Sequence, residues 1–383
     1  MQKKDIKNLI WFRNDLRTID NAVLSEATKN GSKVFGVYCF DPKQFEIDAF
    51  GFKKTEKYRT KFLIETVENL KAQLSNLNID LLVYHEHPEE IIPSICETYD
   101  VSNIYLQKEW TQEEVDVENT VKEKVNNVSW HHIYNQFLYH PDDINFEIHQ
   151  TPQVFTVFRK KLEKYIAIRH ESTIKKQPES NRIENETKIP TLKDLGFEDF
   201  ETHTNSAFPF KGGETEVLQR LEDYFFNTKK LGFYKKTRNG LVGKDYSSKF
   251  SPWLANGSIS ARTIYWNVKQ FEKEHYNNES TYWLIFELIW RDYFKYISLK
   301  HGNSIFKLDG VLNKNYEWKT DQKLIDDWIN GNTKRDFVNA NMIELKETGW
   351  MSNRGRQNVA SYFAKELQLC LLYTSPSPRD DIS

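Results

Sequence analysis

Short apolar segments alternate with amphipathic segments through the first third of the chain. The run KVFGVYCF (33–40) is almost wholly apolar and predicts a buried strand, whereas residues 58–74 repeat apolar side chains with the period of a helix. The predicted strands are residues 7–12, 33–40, 80–84, 103–106 and 129–133, with helices between them. This alternation predicts an α/β fold with a doubly wound parallel sheet, which binds ligands at the carboxyl ends of its strands. GxGxxG and P-loop patterns are missing from the sequence, so ordinary dinucleotide or nucleoside triphosphate binding has no support.

The periodicity weakens between about residues 140 and 208. Prolines and the polar stretch IKKQPESNRIENETKIP interrupt it, and only residues 155–168 keep a helical pattern. We therefore expect a long inter-domain connector that crosses the surface, with residues 175–188 mobile.

From Gly213 onward the apolar positions recur with a helical period. The predicted helices cover residues 214–226, 260–274, 280–301, 324–331, 337–348 and 357–367. Polar side chains lie among apolar and aromatic ones in GWMSNRGRQNVAS (349–361) and around Glu287. Because buried polar groups need partners, these two segments predict a large polar ligand held inside a helical domain.

The loop at residues 234–255 joins the first two of these helices. Two glycines allow tight turns in it, and three serines supply hydroxyl groups. With Ser251 as N-cap and Pro252 as the first helical residue, a serine-rich loop enters a helix in the manner of a phosphate site. A plain capped helix is the alternative interpretation, and both stay open at this point.

Basic residues cluster between residues 228 and 262, where eight lysines and arginines accompany a single acid, Asp245. Such a patch attracts phosphates even though the whole chain has a net charge of −2. An ordinary solvated lysine face fits the same pattern equally well.

The composition narrows the class of protein further. Three scattered cysteines are too few for a disulfide framework or a cysteine-based metal site, which fits a reducing compartment. No apolar run approaches the roughly 20 residues needed to cross a bilayer. We expect a cytoplasmic, monomeric protein without a membrane segment.

Four collinear segments resemble the photolyase/cryptochrome family: WFRNDLR with the nearby Asp20-Asn21, YKKTRNGLVGKDYSSKFSPWLANG, FELIWRDYF and TGWMSNRGRQNVASYFAKEL. The details SSKFSPWLA, ELIWRDYF and SNRGRQN are most similar to its cryptochrome-DASH branch, and the match covers residues 5–369 in the same order. The resemblance implies an α/β antenna domain over residues 1–135, a connector over 136–210 and an all-helical FAD-binding domain over 211–369. It also implies FAD as cofactor and methenyltetrahydrofolate as antenna.

Roles of individual residues follow from the same resemblance. It implies that Glu287, Trp290 and Asn353 are catalytic and that Trp318 is the surface end of an electron-transfer chain. For cofactor binding it implies Tyr234, Ser247, Ser248, Lys249, Phe250, Ser251, Glu287, Arg291, Asn353 and Arg356, with Glu109 on the folate. For DNA binding it implies Arg238, Glu287, Trp290, Asn353, Arg354 and Gln357.

The implied reaction is repair of cyclobutane pyrimidine dimers, in single-stranded DNA or looped lesions, by an electron from excited reduced FAD. No histidine pair stands in the segment that would favour the (6-4) photoproduct. A blue-light receptor that signals without repair is the alternative. A generic nucleotide-binding α/β protein with a helical partner-binding domain is a third interpretation.

The sequence departs from the family pattern after Leu369. The string CLLYTSPSPRDDIS (370–383) resembles a translated sequencing adapter, so we expect a non-native tail there. A helical domain that ends at this point lacks one wall of its flavin pocket, and we expect weak FAD binding and exposed apolar surface.

Overall fold

A computed structural model describes residues 6–47, 51 and 53–371, and its N-terminal part is built on a parallel sheet. The strands are β1 (Lys7–Trp11), β2 (Lys33–Cys39), β3 (Leu81–Tyr84), β4 (Asn103–Gln107) and β5 (Ser129–Ile133). They pair in the order β3-β2-β1-β4-β5, and every pairing is parallel. The predicted doubly wound α/β architecture is confirmed.

Helices cover both faces of this sheet: α1 (Ala22–Thr28), α2 (Lys57–Asn76), α3 (Pro88–Thr98) and α4 (Gln112–Lys124). Alternate residues of β1 serve the two faces. Ile10 and Phe12 pack with residues of α1 and α2, whereas Leu9 and Trp11 pack with residues of α3 and α4. This explains why the strands are apolar at nearly every position.

The connector contains helix α5 (Phe155–Tyr165) and then runs along the outer edge of β3, the strand at one end of the sheet. Residues 175–188, which we predicted to be mobile, are instead tied to the sheet. The buried amide of Asn181 accepts a hydrogen bond from Val34 N at 2.8 Å and donates one to Val34 O at 2.8 Å, as a neighbouring strand would. Asn185 donates to Leu81 O, and Thr187 accepts from Val83 N. The connector thereby covers the edge of the sheet.

The C-terminal part is helical, as predicted. Its helices are α6 (Glu214–Glu222), α7 (Tyr234–Thr237), α8 (Ser251–Asn256), α9 (Ala261–Glu274), α10 (Glu279–His301), α11 (Gln322–Ile329), α12 (Asp336–Thr348) and α13 (Asn353–Ser361). Residues of α10 run through the large aromatic core of this part. We keep the boundaries at residues 135 and 210 as a proposal.

Helix α13 begins four residues before the predicted start at residue 357. Ser352 is its N-cap, and the Ser352 side chain accepts a hydrogen bond from Gly355 N at 3.0 Å. The polar motif SNRGRQN therefore forms the first turns of a helix. The tail predicted from residue 370 lies, from residue 372 on, outside the described residues.

Buried charges join the sheet to the helical part. Asp20 accepts two hydrogen bonds from the Arg262 guanidinium, at 2.9 and 2.7 Å, and one from the Ser260 hydroxyl at 2.5 Å. Arg17 donates to Gly257 O at 3.0 Å. Gly257 has φ of +78° and a Cβ there would lie 2.1 Å from Asn14 O, so only glycine permits this approach.

Among the residues that the structure describes, no helix is long and apolar enough to span a bilayer.

Candidate flavin and DNA site

Helix α10 carries Glu287 on a half-buried face, where its carboxylate is ion-paired with Arg238 at the end of α7. Burial raises the pKa of Glu287, and the charge of Arg238 opposes this rise. Tyr234, at the start of α7, is buried, and burial raises the pKa of its hydroxyl. The structure thus brings together three residues that the resemblance implied, and two of them, Arg238 and Glu287, are 49 residues apart in sequence.

The N-terminal turn of α13 lies beside the same region. Arg354 donates to Asn239 Oδ1 at 3.2 Å and to Gln357 Oε1 at 3.3 Å, and so links α13 to the residue after Arg238. Asn353, Arg354 and Gln357 are exposed, so the burial that we expected of them is wrong.

The reason for this exposure is the orientation of α13. Gly355 and Val359, one turn apart, are its buried residues, and Gly355 faces Asn341 of α12. Arg356 is half-buried.

Trp290 lies one turn after Glu287 on α10, in a group of aromatic rings. It stacks on Phe155 of α5 with a centroid distance of 3.5 Å and an interplanar angle of 10°. Phe294, the next residue on this face, stacks at 5.6 Å and 27°. The indole is therefore in contact with two other rings, and a role as a wall for damaged bases stays a prediction.

Arg291 and Asp292 anchor α10 to the connector. Arg291 donates to Gln136 O at 2.6 Å and to Leu254 O at 3.2 Å. Asp292 Oδ2 accepts hydrogen bonds from Leu138 N at 2.9 Å and from Tyr139 N at 2.8 Å. Burial raises the pKa of Asp292 to about 6. Asp292 was not predicted from the sequence, where its only signal was an acid inside an aromatic helix.

The loop before α8 contains a buried lysine, Lys249. Lys249 is 3% exposed and has φ of +67°, and its Nζ has no hydrogen-bond partner within the described chain. The ammonium group lies over the rings of Tyr246, at 3.3 Å, and Trp350, at 4.6 Å. Burial lowers the pKa of Lys249 to about 7.

The predicted cap of α8 is wrong. Phe250, with φ −72° and ψ −13°, precedes the helix and makes no side-chain cap, so that Ser251 is already inside the first turn. Ser248 is buried and Ser247 is half-buried.

Glu109 follows β4, at the carboxyl edge of the sheet, and accepts a hydrogen bond from Gln107 at 2.8 Å. Lys295 of α10 lies near Glu109. Burial lowers the pKa of Lys295 to about 8, and the positive charge of Arg291 also acts to lower it. The negative charge of Glu109 acts in the opposite direction on Lys295. Lys295 was missed because a lysine on a helix usually indicates only a solvated face.

Trp318 lies apart from these residues. It is half-buried, its ring centroid is 5.7 Å from that of Tyr316, and the next residue, Lys319, bonds through its amide to Gln368 O. Its role in electron transfer stays a prediction.

The basic stretch at residues 228–262 does not form one uniform face. Arg262 is buried against Asp20, Lys249 is buried in the loop, and Arg238 is paired with Glu287. Lys229, Lys236 and Lys244 are exposed, and among the basic residues of this stretch they fit a solvated lysine face best.

The residues present suit an anionic cofactor. A buried ammonium group without a hydrogen-bond partner is unfavourable by itself, and a phosphate group would supply the missing acceptor. Lys249 Nζ is such a group, and it lies in the serine-rich loop that the resemblance assigned to the phosphates of FAD.

Comparison with known proteins identifies the family. The sequence model of the DNA photolyase family matches residues 8–179, and that of the FAD-binding domain of DNA photolyase matches residues 283–373. Cryptochrome DASH of Gloeobacter violaceus is 44% identical over 361 residues, which are 94% of this chain and 72% of that protein. Cryptochrome DASH of Synechocystis is 46% identical, over 94% of this chain and 74% of that protein.

Solved structures agree with this. The crystal structure of a Synechocystis cryptochrome superposes with a TM-score of 0.92 at 42% identity, over 98% of this chain and 79% of that one. A class III photolyase of Agrobacterium tumefaciens, 20% identical, shares the fold with a TM-score of 0.78, over 100% of this chain and 80% of that one. The chain belongs to the photolyase/cryptochrome family, in its cryptochrome-DASH branch, and carries the FAD-binding domain of that family.

Proposed function

We propose that this chain is a light-dependent DNA-repair flavoprotein, of the deoxyribodipyrimidine photo-lyase type, that acts on cyclobutane pyrimidine dimers in single-stranded DNA or looped lesions. The observation that carries the proposal is the Arg238–Glu287 ion pair beside the exposed turn of α13. It combines a cation for phosphate with a carboxyl group for a base edge.

FAD is the cofactor in this proposal, held by Tyr234, Arg356 and the loop residues Ser247, Ser248, Lys249, Phe250 and Ser251. The reduced flavin, when bound, supplies an electron after it absorbs light. Lys249 binds a phosphate oxygen through its ammonium group, and the rings of Tyr246 and Trp350 keep water away from that contact.

Glu287 recognises the damaged base. Its raised pKa makes the carboxyl easier to protonate; the protonated carboxyl gives up the ion pair with Arg238 and donates a hydrogen bond to a pyrimidine carbonyl. Such a donor also stabilises negative charge that develops on the base.

Arg238 is shared between Glu287 and the DNA backbone in this proposal. Arg354, Asn353 and Gln357 are exposed at the start of α13 and extend the same surface. Arg354, already bonded to Asn239, adds a second cation for phosphate within reach of Arg238. We propose Glu109 as the contact of a folate antenna.

The test is a repair assay on a single-stranded oligonucleotide that contains one thymine dimer, with purified protein, reductant and near-ultraviolet light. We expect Glu287→Ala to slow dimer loss by about 100-fold or more, the usual effect of removing a catalytic proton donor. Trp290→Ala should slow it by about tenfold, because one lost stacking contact between a base and an aromatic ring costs about 1–3 kcal/mol. Flavin content per chain should stay unchanged. Glu279→Ala is the matched control, since Glu279 is an exposed acid on the same helix. Unchanged repair in both variants would contradict these roles.

A blue-light receptor is the second candidate, and the stacking of Trp290 on Phe155 at 3.5 Å favours it, because that face of the indole is already covered. Wild-type protein whose flavin is reduced by light, but which leaves the dimer intact, would support the receptor over the repair enzyme.

A further inference from the structure

Arg220, on α6, is a buried cation whose partners all lie within the chain. Its side chain is 1% exposed. Its Nε donates to Ser248 O at 3.3 Å, and Nη2 donates to Lys244 O and to Ser247 O, both at 3.1 Å. Nη1 donates to Asp245 Oδ1 at 3.0 Å and to Asp223 Oδ2 at 3.4 Å. A guanidinium has five N–H groups, so none remains for a ligand.

Two aromatic rings fix the plane of this guanidinium. Its central carbon lies 5.0 Å from the centroid of Phe210 and 4.7 Å from that of Tyr224. Cation–π contacts of this kind gain strength when water is excluded. The five hydrogen bonds are therefore held in one orientation.

The consequence for the loop follows from the planarity of the peptide. In a trans peptide the C=O of one residue and the N–H of the next point in opposite directions. Because Arg220 binds the carbonyls of Lys244, Ser247 and Ser248, the amides of Asp245, Ser248 and Lys249 point away from it.

These amides are also unpaired. Within the described residues, no amide of 244–250 donates to another group of the chain, and Lys249 Nζ has no partner either. Successive backbone N–H groups without an acceptor, in a loop that also carries a cation, can form an anion-binding concavity.

We propose that Arg220 is a positioning residue for the cofactor diphosphate: by holding three carbonyls on one side of the loop, it presents the opposite amides and Lys249 to the phosphates. The inference rests on the proposed flavin site at this loop. Lysine cannot replace Arg220, since an ammonium has three donors and no planar fork.

The experiment compares wild type with Arg220→Lys and Arg220→Met by titrating flavin-free protein with FAD, with riboflavin, which has no phosphate, and with inorganic pyrophosphate as competitor. We expect both variants to bind FAD and pyrophosphate about tenfold or more weakly, as expected from the loss of one or two charged hydrogen bonds. Their affinity for riboflavin should change by less than about twofold. Arg182→Met, which removes an arginine that pairs with Asp80 on the sheet, should match wild type.

Several outcomes would overturn the proposal. One is undiminished FAD affinity in folded Arg220→Lys protein, and another is an equal loss of FAD and riboflavin affinity, which indicates general damage. Amide hydrogen exchange on the wild type is a second measurement that needs no variant: pyrophosphate should protect the amides of Asp245, Ser248 and Lys249, and absence of protection contradicts the proposal. Wild-type protein that binds no FAD would instead contradict the flavin site itself.

Discussion

Lys249 combines two properties that oppose each other in the flavin-free protein. Its ammonium group is positioned for an anion, yet it is buried without a hydrogen-bond partner in the described chain. With a folded-state pKa of about 7, below the ordinary 10.5, the folded protein binds fewer protons at this site than the unfolded chain between these two values. Stability from this group therefore rises with pH across that window and is lowest below pH 7.

Replacing Lys249 with methionine should remove this penalty. We expect Lys249→Met to stabilise the flavin-free protein at pH 7 by about 1–3 kcal/mol, the usual cost of an unsatisfied buried polar group. The gain should shrink towards pH 10. Urea unfolding of both proteins at pH 7 and pH 9 measures this gain. Lys295 also has a lowered pKa, but it is present in both proteins, so its effect on the pH dependence cancels in the comparison. FAD affinity should fall in the same variant. Equal pH slopes in the two proteins would show that Lys249 is not desolvated as described.

Glu287 supports a second prediction at this scale. If the protonated carboxyl is the form that serves repair, the rate should fall as the pH rises through its raised pKa. Glu287→Gln keeps a hydrogen-bond donor at every pH, so its rate should stay flat and should remain above that of Glu287→Ala. Rates of dimer loss from pH 4.5, the ordinary pKa of a glutamate, up to pH 9 test this, and a variant profile that still falls like that of the wild type would exclude Glu287 as the titrating group.

At the scale of elements, α12 and α13 meet at a glycine. A Cβ on Gly355 would lie 2.0 Å from Asn341 Oδ1, and the Asn341 amide is held by Phe337 O at 2.8 Å. The neighbour cannot move freely, so the two helices must separate if a side chain is added.

We expect Gly355→Ala to destabilise the protein by about 1–3 kcal/mol through overpacking. Alanine favours a helix by roughly 1 kcal/mol over glycine, and the clash outweighs that gain. Asn358→Ala, at an exposed position of the same helix, should change stability by less than about 0.5 kcal/mol. Denaturant unfolding compares the two variants. A Gly355→Ala protein as stable as the wild type would mean that the helices are not in close contact.

Most of the helices and strands could be predicted from the sequence, because apolar periodicity is a local property. The five strands and the long helices follow from it directly. The start of α13 could not, since the pattern of 349–361 does not show that Ser352 bonds to Gly355 N. The burial of Asn353 and Arg354 was predicted wrongly for a related reason: only the contact of Gly355 with α12 shows which side of α13 faces outward.

At the scale of the whole molecule, the buried pair Asp20–Arg262 joins segments 242 residues apart. From the sequence, Arg262 was assigned to a basic patch, because no local pattern reveals so distant a partner. Removing one member leaves the other charge buried without compensation, which typically costs about 3–5 kcal/mol.

We therefore expect Asp20→Ala to destabilise the protein by about 3–5 kcal/mol and the double variant Asp20→Ala/Arg262→Met to be less destabilised than the sum of the single variants. Asp143→Ala is the matched control, because it removes one member of the exposed Asp143–Arg169 pair and should cost at most about 1 kcal/mol. Thermal unfolding of the wild type, the two single variants, the double variant and the control measures these differences. Similar losses for Asp20→Ala and Asp143→Ala would contradict a special role for the buried pair.

The connector along β3 affects how copies of this protein behave towards one another. A parallel sheet ends in a strand whose unpaired backbone groups can recruit a strand from a second molecule. Here the Asn185 side chain bonds to the carbonyl of Leu81, and the Thr187 side chain bonds to the amide of Val83, both on β3. The Asn181 side chain bonds to the amide of Val34 on β2. The connector thus also opposes edge-to-edge aggregation, and it does so through polar side chains rather than through a sixth strand.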